Sequence, residues 1–438
     1  MKNIGPLWEK ETFRMRSFRL FRPLSVFLLV IFLSASVQAA ELDLGKWNPE
    51  ARGAIQKMID TYGKDSKNYS VKKKPYAVFD WDQTCIFNDT QEAMFRYMID
   101  RLLFKATPEQ FAAAIRMDVP KDNFTADYNN AAGQPVNIDL IAADLDADYQ
   151  FLYEYYIKDG GMSLAEIKMT AAYEDFRAKL AYLYEAIGGT FSAEISYPWV
   201  LYLFVGMTEA EVSKIAEESN DYALGDRLGT YNLTSPRERP GKAGIISLDG
   251  YKYGLRLAPE MSNLMNVLRE SGFDVYVCSA SHEAVVRVFA GREKYGYGVP
   301  PENVIAMKTK IKDGIYLGEY DYSNDYPQTQ QKGKVTAIDQ VLVKKYGYGP
   351  IFVAGDSQGD FNMSTEFPET KLTLIINRLR KDDFGKLGLE AVKPAGQELP
   401  RYVIQGRDEN TGQFRPSAST IKMGKDQEAL FNDAIAPK

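Results

Sequence analysis

The sequence predicts an α/β fold: a Rossmann-like parallel sheet core, interrupted by an inserted, mostly helical domain. Three observations carry this reading. Short apolar runs at 76–79, 273–278 and 350–354 each end abruptly in polar or charged residues, the pattern of a buried parallel strand that surfaces at its C-terminal end. Helix-like stretches alternate with these runs in the second half of the chain. Between about 105 and 240 helix-capping patterns dominate and long β-type alternation is absent, which places a helical domain inside the α/β one.

The elements follow in order. Residues 1–40 have the form of an export signal. Arg14, Arg16, Arg19 and Arg22 precede an apolar run at 24–33, and Val37-Gln38-Ala39 offers small residues for cleavage after Ala39 or Ala40. The apolar run is short for a membrane span, and no Cys follows the cut, so a stable membrane anchor is not expected. Met15 is a second candidate start. A lead-in helix at 48–62 and a Lys-rich link at 72–74 precede the first strand. Asp89 or Thr90 caps the next helix. In the insert, Thr107-Pro108 is an N-cap and N1 pair, and Ser163…Glu166 and Thr208…Glu211 are capping-box patterns. A loop at 232–241 leads out. A helix at 259–271 closed by Gly272, strands at 273–278, 303–307, 350–354 and 371–376, a hairpin at 313–320 and a helix at 334–346 complete the core. The domains expected are a signal at 1–40, a core at 41–88 and 255–400, a helical cap at 89–254 and a C-terminal tail at 401–438.

Composition narrows the function. The 438 residues carry a net charge of -6, and residues 1–40 hold six basic and two acidic groups, so the exported chain has a net charge of -10. An acidic chain of this kind is not expected to bind nucleic acid. Its two cysteines, Cys85 and Cys278, are too few for a disulfide scaffold and read as buried free thiols. His282 is the single histidine. A Ser-His-Asp triad or a His-rich zinc site would need partners that the chain lacks, so His282 reads as a helix-start or surface residue.

The chemistry concentrates at strand ends. Asp80 and Asp82 follow the first apolar run, Ser279 the second, and Asp356 and Asp360 the run at 350–354, while Lys334 opens a helix. If the strands are parallel neighbours, these side chains meet at one sheet edge. Acids, a hydroxyl and a lysine are what phosphoryl transfer requires: a nucleophile, ligands for a hard divalent cation, and donors for the equatorial oxygens. Ser281 competes with Ser279, and Lys332 with Lys334.

Asp80-x-Asp82-x-Thr84, Ser279 after an apolar strand, Lys334 in Gly-Lys-Val, and Gly355-Asp356-Ser357-x-x-Asp360 resemble, in order and spacing, the four motifs of the haloacid dehalogenase-like hydrolases. The resemblance covers residues 72–90 and about 255–380. An insert between the first two motifs is similar to a type 1 cap, and the core resembles the phosphoserine phosphatase branch. The export signal and aromatic cap lean toward its phosphorylcholine phosphatases. The resemblance implies a phosphatase with Asp80 as nucleophile and Asp82 as general acid/base. Ser279 binds phosphoryl oxygens, and Lys334 neutralises charge. Mg²⁺ is held by Asp80, the Asp82 carbonyl and Asp356, with Asp360 in support. It places Thr84 and Ala280 beside the substrate, and Asp89, with Glu92 as helper, at its ammonium group. Asp89 reads equally as a helix N-cap. The expected substrate is a small amine-bearing phosphate ester. Phosphorylcholine is favoured because the insert is rich in Tyr and Trp. Phosphoserine would call for an arginine: Arg96, Arg101 or Arg177. The rival class is a non-catalytic phosphoester-binding protein of the same fold.

Overall fold

The computed structural model describes residues 40–158, 160–393 and 399–431. The predicted signal and its cleavage positions up to Ala39 lie outside them. Among the described residues, no helix is long and apolar enough to cross a membrane.

The centre is a six-stranded sheet of β1 (Tyr76–Phe79), β2 (Asp274–His282), β3 (Val304–Met307), β4 (Phe352–Gly355), β5 (Leu372–Ile376) and β6 (Tyr402–Gln405). Its order is β6-β5-β4-β1-β2-β3, parallel throughout. The chain builds outward from β1 in both directions, so the strand order reverses between β1 and β4. That switch point is where such sheets bind ligands. All four residues of β1 are fully buried. Ala77 and Phe79 join the main core on one face, and Tyr76 and Val78 join a smaller core on the other, which is why the run is apolar without alternation.

Between β1 and β2 the chain passes through a long helical stretch. Thr107, Ser163 and Thr208 each form a reciprocal capping box with the residue three positions on. The loop expected at 232–241 is partly strand: Gly229–Thr234 pairs with Ser247–Tyr253 as a hairpin. Its half-exposed residues lack the dense apolar signature of the core strands. The hairpin Thr309–Lys312/Ile315–Tyr320 follows β3.

Two expectations are corrected. β2 runs on to His282 because its pairing with β3 slips between Ser279 and His282, so Ser279 lies inside the strand rather than after it. The region beyond 400 is not a tail. Tyr402–Gln405 is the parallel edge strand of the central sheet, and short strands at Arg407–Asp408, Gln413–Phe414, Thr420–Ile421 and Glu428–Ala429 form a second sheet behind it.

His282 is buried and structural. Its Nδ1 accepts the Ala284 N–H at a helix start, Nε2 lies 3.1 Å from Thr309 Oγ1, and burial pushes its pKa down to about 3. Cys85 and Cys278 are buried free thiols.

Candidate active site

Asp80 is the first residue past β1. Its backbone N–H still donates to Ala354 of β4, which fixes the side chain at the switch point. Lys334 Nζ donates to Asp80 Oδ1 at 2.6 Å and to Asp360 Oδ1 at 2.7 Å. Thr84 Oγ1 lies 2.8 Å from Asp80 Oδ2 and 3.0 Å from Asp356 Oδ1. One hydroxyl has one proton, so it cannot satisfy both carboxylate oxygens at once. Carboxylate oxygens of Asp80, Asp356 and Asp360 all lie within 4.8 Å of one another. Two hard oxygens converging with a proton deficit fit a divalent cation of the Mg²⁺ type. Asp360 fits less directly. Its Oδ1 takes Lys334, and its Oδ2 takes the N–H groups of Asp356 and Ser357 at 2.9 and 3.1 Å, so it organises the loop after β4.

Asp82 is held apart from that cluster. Thr90 N–H and Oγ1 donate to its Oδ1 at 2.6 and 2.7 Å, and Ser281 Oγ donates to its Oδ2 at 2.6 Å. Ser281 is therefore a partner of Asp82 rather than a substitute for Ser279. Ser279 is buried, with its Oγ accepting the Ser281 N–H at 3.1 Å. Lys334 is buried at the carboxylates, whereas Lys332 is exposed, which separates the two rivals.

The electrostatics divide the acids. Burial, then the charges of Asp360 and Asp356, push the Asp80 carboxyl well above its usual range against the pull of Lys334. Burial also raises Asp82, opposed by Ser281 and Thr90. Burial works to raise Asp356 too, but the Arg378 charge and hydrogen bond hold it below the usual carboxylate range.

A cavity of about 100 Å³ opens over these groups, lined by Asp80, Asp82, Asp89, Tyr184, Tyr197 and Arg378. Ala280 and Ser281 also form part of its wall. Thr84, expected beside the substrate, is instead buried beneath the carboxylates and is not part of the lining. Glu92 lies in a wider opening of about 310 Å³ that shares Asp89 and Tyr197 with the cavity. Asp89 does both things the sequence left open. It caps the helix Thr90–Arg101, accepting the Glu92 N–H at 2.8 Å, and it faces the cavity. Burial, then Asp82 and Glu92, push its carboxyl up.

Sequence reasoning passed over Tyr184 and Arg378. Tyr184 sits in the helix Ala171–Thr190, where helical spacing does not separate a cavity-facing ring from a core one. Arg378 follows β5 by two residues and donates to Asp356 Oδ2. Its signal was a charge just past a strand end, the same one that marked the other site residues. The arginines considered for a carboxylate are engaged elsewhere. Arg96 donates to the Lys252 carbonyl, Arg101 lies over the rings of Tyr97 and Tyr222, and Arg177 pairs with Asp100.

This fold and this arrangement of acids and lysine are those that the resemblance to the haloacid dehalogenase-like hydrolases, in their phosphoserine phosphatase-like branch, implies, and they are those of a phosphoric monoester hydrolase. Comparisons with known proteins agree. The chain is 25% identical over 386 residues to a phosphorylcholine phosphatase of Pseudomonas aeruginosa, covering 81% of this chain and 87% of that protein. It is 33% identical, with a TM-score of 0.82, to the crystal structure of a conserved protein of unknown function from Anaerococcus prevotii, covering 88% of this chain and 99% of that one. No family model matches the chain.

Proposed function

We propose that the protein is an exported, Mg²⁺-dependent phosphomonoesterase that acts through an aspartyl phosphate on Asp80, with phosphorylcholine as the favoured substrate. The observation that carries the chemistry is the pairing of Asp80 with Lys334 beside a separately held Asp82. Asp80 Oδ attacks phosphorus in line, and the P–O bond to the leaving group breaks. Asp82, with its raised carboxyl, gives its proton to the departing alkoxide. It then takes one from the water that attacks the aspartyl phosphate, so that inorganic phosphate leaves and Asp80 is restored. Ser279 and backbone N–H groups after Asp80 bind phosphoryl oxygens, and Lys334 offsets the repulsion between phosphate and carboxylate. Asp80, the Asp82 carbonyl and Asp356 would hold Mg²⁺, which neutralises charge on the phosphoryl group, with Asp360 keeping Lys334 and the loop in place. Activity is expected to vanish with a chelator and return with added Mg²⁺. Full activity in chelator would remove the metal from this reading.

The substrate reading rests on what lines the cavity. Asp89 supplies a carboxylate and Tyr184 and Tyr197 supply rings, a combination that suits a quaternary ammonium. Phosphoserine is the second reading. It needs a cation for its own carboxylate, and the cavity's arginine, Arg378, is already bonded to Asp356. The relative from Pseudomonas aeruginosa bears the name phosphorylcholine phosphatase, which supports the first reading. The test compares kcat/KM for phosphorylcholine, phosphoethanolamine, phosphoserine and glycerol phosphate. Phosphorylcholine should lead. Asp89→Asn is informative because Asn remains a good N-cap. It should raise KM for cationic esters by about tenfold and leave that for glycerol phosphate nearly unchanged. Equal effects on both would show that Asp89 selects nothing. Export rests on the basic, apolar and small-residue pattern of residues 1–40. Mature protein should begin at Ala40 or Glu41, and an exported chain that keeps Met1 or Met15 would overturn it.

A further inference from the structure

The second sheet, beyond residue 405, is built into the site from behind. Arg407 is 2% exposed, and its guanidinium reaches forward past the ring of Phe87 to the turn that follows the nucleophile. There Nη1 donates to the backbone carbonyl of Gln83 at 2.9 Å and Nη2 to its side-chain Oε1 at 2.7 Å. Both hydrogen bonds grip one residue, which sits between Asp82 and Thr84. Gln83 needs gripping: its φ is +63°, a left-handed conformation that a side chain disfavours. The same turn carries a second such residue, Asn88 at +68°, whose carbonyl accepts the Gln83 N–H at 3.1 Å. Behind Arg407, Glu409 lies 3.4 Å from its Nη2 and is itself held by Lys422 Nζ at 2.7 Å.

A second arm of the same sheet reaches the other side of the site. Thr420 Oγ1 accepts the Arg407 N–H at 3.2 Å and donates to the Asn377 carbonyl at 2.7 Å. Asn377 Nδ2 donates to the Ala418 carbonyl at 2.8 Å, and its Oδ1 accepts the N–H of Leu379, which has a φ of +55°. Between these two residues stands Arg378, on Asp356. One module thus fixes two strained turns: one follows Asp80 and carries Asp82, and the other carries Arg378, which holds Asp356.

We propose that Arg407 is a positioning residue of the reaction, and that the sheet formed by residues 407–429 sets the alignment of Asp80, Asp82 and Asp356 through Gln83 and the 377–379 turn. This rests on the phosphatase reading above. Arg407 touches neither the cavity nor the reacting atoms. Its effect is geometric, and small displacements at a reaction centre are costly even when their source is remote.

Arg407→Lys keeps the charge but loses the planar fork whose two nitrogens each meet one Gln83 oxygen. Thr420→Val keeps the shape and cuts the second arm. Each is measured for phosphorylcholine turnover, thermal unfolding and the thermal shift produced by Mg²⁺ on chelator-treated protein. Expected is a folded Arg407→Lys with kcat reduced about 10- to 100-fold, KM within about threefold of wild type, and a smaller Mg²⁺-induced shift. Thr420→Val should show the same pattern, about three- to tenfold in kcat. A folded Arg407→Lys with kcat within about twofold of wild type overturns the proposal. So does a loss of activity in either variant that tracks only its unfolding temperature and recovers on cooling. Where Arg407→Lys does not fold, an unchanged kcat in Thr420→Val overturns it alone. A wild-type protein that turns over no phosphate ester overturns the functional reading and this inference together. An active wild type with unaffected variants removes only this inference.

Discussion

Asp80→Asn should lower kcat by at least about 10⁴-fold while leaving the protein as stable as wild type or slightly more so. The two halves of this result have separate causes. Turnover falls because the amide can neither attack phosphorus nor contribute an anionic oxygen to a cation. Stability holds because the ionised Asp80 is costly in the resting fold. It is buried beside Asp356 and Asp360, and those effects outweigh its contact with Lys334. Asparagine has nearly the same volume; its Oδ1 can still accept from Lys334, while its Nδ2 can donate to Thr84 Oγ1, whose own proton then serves Asp356 Oδ1, so no cavity opens and no donor is orphaned. Steady-state kinetics and a thermal melt on one preparation check both halves. Substantial residual turnover in a folded mutant would remove Asp80 from the nucleophile's role. Asp82→Asn should behave differently, slowing esters with poor leaving groups far more than aryl phosphates, because proton donation matters most to the former.

Much of the site was legible because its chemistry sits at the ends of apolar strands. A run such as Tyr76–Phe79 is apolar for one reason, burial on both faces, and the first carboxylate after it marks where the strand leaves the core. The same logic located Asp356 and the neighbourhood of Ser279. It failed where the causes are not local. The slip between β2 and β3 is set by pairing with another strand, and nothing in 279–282 announces it. Tyr402–Gln405 is a four-residue strand followed by polar, glycine-containing segments whose strands are only two residues long, too short for any periodicity to register. Arg407 could not be read at all. Its importance comes from meeting Gln83 across 324 positions of chain, and a left-handed glutamine in a turn has no sequence signature. Asp89 shows the opposite limit. Its local role as an N-cap was readable and its place beside the substrate came from the resemblance alone; the fold puts one carboxylate at the helix start and at the cavity wall together.

Lys334→Met should damage fold and turnover together, costing about 3–5 kcal/mol of stability and at least about 10³-fold in kcat. Lys334 Nζ is buried between Asp80 and Asp360, at 2.6 and 2.7 Å, and has no solvent to fall back on. Methionine nearly preserves the volume but strands two buried carboxylates next to each other and to Asp356. Each would have to bind a proton to stay buried, and a protonated Asp80 is no nucleophile. Stability and activity should therefore fall for the same electrostatic reason, which a double mutant can isolate. In Lys334→Met/Asp80→Asn one of the stranded charges is gone, so the pair should be more stable than Lys334→Met alone, by about 1–3 kcal/mol in the coupling. Lys332→Met, at an exposed position two residues away, should stay within about 0.5 kcal/mol of wild type. Denaturant unfolding of wild type, Asp80→Asn, Lys334→Met, the double mutant and Lys332→Met in chelator, where no added cation can substitute for the lysine, provides the measurement. Additive losses in the double mutant, or a Lys334→Met protein as stable as Lys332→Met, would mean that the carboxylates are held by packing and hydrogen bonds rather than by the lysine's charge. The role of Lys334 against the phosphate would then lose its physical basis.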